Sequence, residues 1–193
     1  MTKSLTMERP STLHRHSARI DGERVYLRTL TPDDASEEYA AWLNDPTVNQ
    51  YLETRSITLP KLREYIEEKD KSDDAIFFGI FWKENNKHVG NVKLEPVNFA
   101  QGVATMGILI GDKNYWGKGV GTEATNLITN YALATLRIAE VNLGVMATNV
   151  AAIRVYEKCG YVIDSIEEKS INHDGLLYDR VWMKKTAPTS VRS

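Results

Sequence analysis

Two stretches hold residues whose types and spacing could do chemistry. The first, Asp112 to Ala124, reads DKNYWGKGVGTEA and carries Gly117, Gly119 and Gly121 at alternate positions. Glycine lets a backbone turn through positive φ and brings its N–H groups close to a ligand. Val103–Ile110 (VATMGILI) before it has the apolar, partly β-branched character of a strand. After it, Val120, Ala124, Leu127, Ile128, Tyr131 and Ala132 recur at helical spacing. A helix start offers unpaired N–H groups and the positive end of a dipole. Strand, glycine turn and helix in this order suit a pyrophosphate. A tight turn using glycine for geometry alone accounts for the same residues.

The second stretch runs from Asn149 through Tyr156 and Lys158 to Gly160 and Tyr161. Asn149 is placed to cap a helix, and Asn149, Ala152 and Tyr156 share one of its faces. Gly160 then ends that helix as a C′ glycine. Tyr156 could lie beside a crevice at the strand ends, or sit in the core with its hydroxyl at the surface.

The elements that must position these residues follow from periodicity and punctuation. Arg24–Leu30 alternates as a strand. Thr31-Pro32-Asp33-Asp34 has the signature of a helix start, with Ala35, Tyr39, Trp42 and Leu43 on its inner face. Thr58-Leu59-Pro60 begins a second helix that turns Leu62, Tyr65 and Ile66 inward. Ile76–Trp82 and His88–Glu95 pair around Glu84–Lys87, and Val103–Ile110 follows. Val141–Ala147 is a strand beyond the glycine-loop helix. Tyr161–Ile171 and Leu176–Lys185 form a last hairpin around Asp174-Gly175. The sum is an α/β chain of the α+β type: about seven strands in a mixed, mostly antiparallel central sheet, with about four helices and one parallel step at the glycine loop.

Together the two stretches resemble the GNAT superfamily of acetyl-CoA-dependent N-acetyltransferases. Trp116-Gly117-Lys118-Gly119-Val120-Gly121 is similar to its R/Q-x-x-G-x-G/A coenzyme loop. Asn149, Ala152, Tyr156, Lys158, Gly160 and Tyr161 are similar to its N-x-x-S-x-x-x-Y-x-K-x-G-F/Y helix. The resemblance spans Val25 to Lys185. Trp116 departs from the usual Arg or Gln, as it does in the ribosomal-protein N-terminal subgroup, and Ala152 departs from Ser. The resemblance implies acetyl-CoA as donor, bonded to backbone at Leu109, Ile110 and Gly111. It implies that Trp116 through Thr122 hold the pyrophosphate, and that Asn149 and Lys158 lie nearby. Tyr156 is then the general acid for the departing thiol and Asn149 a contact to coenzyme or water, with direct attack by the amine. The acceptor side is expected at Tyr51, Glu53, Arg55, Lys93 and Glu95. His88, Glu95, Glu53 and Asp179 compete as general base. The motif set is similar to enzymes acetylating nucleotide-linked amino sugars, with protein N-termini second and an acetyl-CoA sensor without turnover third.

Composition bounds the rest. At 193 residues the chain suits one domain, read as 21–186 between an arm at 1–20 and a tail at 187–193. A net charge of −2 argues against nucleic acid or an acidic membrane surface as partner. The single cysteine, Cys159, permits neither an internal disulfide nor a cysteine metal cluster, and no metal is expected. Its position near a helix C-terminus, where the dipole disfavours a thiolate, marks it as packing rather than nucleophile. No apolar run spans a membrane and the start lacks a signal-peptide core, so a cytoplasmic protein is expected, and the resemblance adds a small amine as its substrate. An exposed sheet edge leaves room for a homodimer.

Overall fold

The structure is a computed structural model that describes residues 18–52, 56–173 and 175–188. Its elements in chain order are β1 (Arg19–Asp21), β2 (Val25–Thr29), α1 (Glu37–Asn44), α2 (Leu59–Lys71), β3 (Ile76–Trp82), β4 (Lys87–Asn98), β5 (Val103–Ile110), α3 (Val120–Asn130), β6 (Glu140–Met146), α4 (Val150–Lys158), β7 (Val162–His173) and β8 (Leu176–Thr186). One eight-stranded sheet runs β1-β2-β3-β4-β5-β6-β8-β7. Every pairing is antiparallel except β5 with β6. That step needs a crossover, and α3 supplies it. The additional strand relative to expectation is β1, which pairs Arg19 and Ile20 with β2.

The sheet is covered on both faces, which explains why β3 reads as the unbroken apolar run IFFGIFW. Phe78 and Ile80 face the core shared with α3, alongside Leu94, Met106, Ile128, Leu143 and Met183. Phe77 and Phe81 face the other way, into the core built with Tyr39, Leu62 and Ile66 of α1 and α2. The helix expected from Thr31 is divided. Pro32–Asp34 forms a separate 3-10 turn that Arg28 ties down through Asp34 at 2.5 Å. α1 starts after Ser36, whose hydroxyl accepts the Tyr39 N–H. Asp34 closes that short turn by accepting the Thr31 N–H at 2.8 Å while it pairs with Arg28. α3 passes into one π-helical turn, Tyr131–Thr135.

Candidate active site

Helix α3 begins at Gly119 in the left-handed region (φ 79°), with no side chain capping its first turn. Gly117 is likewise left-handed, at φ 73°. The first N–H groups of such a helix have no intrahelical acceptor, so the loop presents backbone donors at the positive end of the dipole. Arg24 braces it from behind. Its guanidinium pairs with Glu123 at 3.0 Å and donates to the Lys118 carbonyl at 3.1 Å. Glu123 in turn accepts the backbone N–H groups of Arg24 and Val25. Trp116 is exposed, and its indole N–H donates to the Ile110 carbonyl at 2.8 Å. The tryptophan thus fastens the loop to the end of β5. The Gly111 N–H is also engaged, with the Val89 carbonyl. A Cβ at Gly111 would lie 2.2 Å from the Trp42 indole, so glycine lets α1 close against the start of the loop. Lys113 and Asp45 pair across the same seam at 2.5 Å.

β5 and β6 pair only from Val103–Glu140 to Thr105–Asn142, where the Thr105 hydroxyl donates to Asn142 at 2.7 Å. Beyond that point they part, and a cleft of about 550 Å³ opens between them. Tyr51, Leu52 and Ile171 to His173 are among the residues that line it. Asn149 and Tyr156 of α4 also line it. Asn149 caps α4, its carbonyl oxygen accepting the Ala152 N–H at 3.2 Å. The helix ends in a Schellman motif: the Gly160 N–H reaches Glu157 and the Tyr161 N–H reaches Tyr156. Tyr156 is thereby held from both ends. It is 8% exposed, and burial, with a smaller contribution from Cys159, pushes its hydroxyl up to about 12.

The expected site residues divide. Tyr51, Asn149 and Tyr156 meet at the cleft. Glu53 and Arg55 lie outside the described residues. Lys93 and Glu95 turn to α2 instead, because two polar partners wait there, Tyr65 and Lys69. Glu95 pairs with Lys69 at 2.7 Å and Lys93 at 2.6 Å, and Lys93 bonds the Tyr65 hydroxyl. Burial pushes the Glu95 carboxyl up, but both lysines hold it net below the ordinary range, which is unfavourable for a base. Asp179 accepts the Lys169 N–H within the last hairpin. Lys158 is exposed in the last turn of α4, and Lys118 lies over the Tyr115 ring. Cys159 is buried and its thiol, raised by burial, contacts the Thr122 carbonyl at 3.5 Å. Arg180, Trp182 and His173 line the cleft unforeseen. They belong to a hairpin whose facing is set by register, which no local pattern displays.

His88 stacks on Phe81, with Tyr39 and Trp42 also against it. Burial lowers its pKa to about 4. The unfolded chain takes up a proton there below about 6.5, which the folded chain refuses until about 4. Stability present above pH 6.5 is therefore lost as pH falls through that window. Denaturant midpoints at pH 7 and pH 4.5 should differ less in His88→Phe than in wild type, and equal differences would remove His88 from acid sensitivity.

The residues fit an acetyl-CoA donor: a glycine cradle in left-handed conformation and an uncapped helix start lie beside a gap between parted parallel strands. Comparison with known proteins agrees. A family model described as the acetyltransferase (GNAT) domain matches residues 24–162. The chain is 30% identical to the probable N-acetyltransferase YjcK of Bacillus subtilis (strain 168), over 83% of this chain and 92% of that one. Its fold is similar to that of spermidine N-acetyltransferase from Vibrio cholerae, solved with CoA and spermine (TM-score 0.79, 21% identity, 86% of this chain and 96% of that one). It is also similar to the ribosomal-protein-S5-alanine acetyltransferase of Vibrio fischeri (TM-score 0.74, 18% identity, 89% and 98%). With the loop, the parted strands and the tyrosine helix in place across the matched span, this chain belongs to the GNAT acetyltransferase family and is an acetyl-CoA-dependent N-acetyltransferase.

Proposed function

We propose that the acceptor is a small amine, a nucleotide-linked amino sugar or a compound of similar size, which attacks directly without an acyl-enzyme. The observation that carries this reading is the cleft itself: about 550 Å³ lies within the ~300–1,000 Å³ usual for small-molecule sites. The donor supplies an activated acetyl thioester. The backbone donors of Gly117 to Thr122 hold its pyrophosphate, and Leu109 to Gly111 flank its arm. The Tyr156 hydroxyl remains protonated at neutral pH, since its pKa is about 12. It can therefore donate a hydrogen bond to the sulfur as negative charge develops there and stabilise the leaving thiolate, whose conjugate acid titrates near ~8.5 and takes its proton finally from solvent. Asn149, its carbonyl used by the cap, can offer its amide donor to the cleft. Among the described lining residues, the imidazole of His173 is the group suited to accept the proton the amine must lose.

Thiol release from acetyl-CoA across an acceptor panel tests this. The panel holds nucleotide-linked 4-amino sugars, free amino sugars, spermidine and a ribosomal N-terminal peptide. Release with the sugars alone is the expected result. Release with the peptide alone would move the chain to protein N-termini. Silence with acetyl-CoA bound would favour a sensor.

A further inference from the structure

We propose that Arg180, laid over Trp182, is a specificity-determining residue that binds an anionic group on the acceptor. The inference rests on the small-amine reading of the same cleft. On β8, Val181 and Met183 are buried in the core shared with α3, so strand alternation turns Arg180 and Trp182 to the opposite face. They form one wall of the cleft there, away from the face on which α3 and the glycine loop would take the coenzyme phosphates. Gly144 makes this possible. It stands opposite Trp182 in register, and a Cβ on it would lie 3.1 Å from Arg180 Cδ and 3.3 Å from the Trp182 ring. Both side chains therefore lie flat across β6.

The guanidinium sits 5.3 Å from the Trp182 ring centre. Its cross-strand neighbour Glu167 is opposite in register, yet no described carboxylate comes within ion-pair distance of Arg180. Every described residue lining the cleft besides Arg180 is apolar, aromatic, amide, hydroxyl or imidazole. A half-buried guanidinium, stacked on an aromatic and without a carboxylate, is a ready fork for phosphate or carboxylate. A polycation would meet repulsion there. The shared chemistry is an amine that also carries a negative group.

The test uses full-length protein saturated with CoA, and calorimetry with four probes: a UDP-linked 4-amino sugar, glycine, the free amino sugar and spermidine. The first two separate phosphate from carboxylate. Turnover with acetyl-CoA is measured in parallel. At least one anionic probe should bind about tenfold or more tighter than the neutral sugar, and its affinity should weaken with added salt. Arg180→Gln should remove roughly 10- to 100-fold of that affinity, the range for a hydrogen bond to a charged group. It should leave the neutral sugar and CoA unchanged, and Arg180→Lys should restore part. The inference is overturned if neither anionic probe outbinds the neutral sugar, if Arg180→Gln leaves the anionic probe unaffected, or if it weakens both probes alike. Should Arg180→Gln fail to fold, loss of the salt effect in wild type alone overturns it. Arg180-dependent binding without turnover would sink the transfer reading and keep this one.

Discussion

Replacing Tyr156 with phenylalanine is expected to lower turnover by about 10²–10⁴-fold, the usual contribution of a positioned acid, while acetyl-CoA binding changes little. The two readouts separate because the ring and the hydroxyl have different tasks. The ring packs in the core and lies 6.1 Å from Tyr161 across the helix-ending motif. Phenylalanine preserves that packing and so the shape of the cleft wall. The hydroxyl is what burial raises to about 12, and it alone is lost. Single-turnover rates, measured at saturating acetyl-CoA across pH 7–10, should be lower in Tyr156→Phe by the same factor throughout, because a hydroxyl raised to about 12 stays protonated over that range. Near-wild-type turnover would make Tyr156 a packing residue and place the acid elsewhere.

The second large effect is expected at the loop. Gly121→Glu should weaken CoA binding by about 100-fold or more with a nearly unchanged melting temperature. A Cβ at Gly121 meets only Ile110 Cγ1, at 3.8 Å, so the fold accepts it. The added carboxylate then lies in the first turn of α3, where it competes for the N–H donors and repels a phosphate. Gly119→Glu should give the same loss by another route. Its φ of 79° strains any side chain, and a Cβ would lie 2.9 Å from Arg24 Nη1, breaking the brace behind the loop. The melting temperature tells the two apart. Unchanged CoA affinity in Gly121→Glu would remove the loop from coenzyme binding.

Much of this was legible in sequence, for identifiable reasons. Alternate glycines before a helical pattern, and an Asn–Tyr–Gly helix after a strand, are local signals set by backbone conformation and capping. Asn149 does cap α4, and Gly160 does end it in the left-handed region at φ 83°. The acceptor side was not legible, because it is assembled from long-range register. Lys93 and Glu95 alternate as exposed charges would, yet on α2, ~25 residues away along the chain, Lys69 draws Glu95 and the Tyr65 hydroxyl takes Lys93. Arg180 and Trp182 are two ordinary residues of a hairpin until Gly144 beneath them is known. The division of the helix expected from Thr31 is not legible, because Asp34 reads as an ordinary first-turn acid and its partner Arg28 lies on the neighbouring strand.

The brief parallel ladder between β5 and β6 carries a dynamic consequence. After three paired residues on each strand, the two run on without each other. Amide exchange at Met106 to Ile110 should therefore be out of keeping with a central strand, fast on the side that has lost its neighbour. A donor seated in the gap would slow it, and by mass action would stabilise the whole domain by about 2.7 kcal/mol at a concentration 100 times its dissociation constant. Exchange along this one segment can thus serve as an occupancy gauge, reporting how full the enzyme is without any acceptor being known.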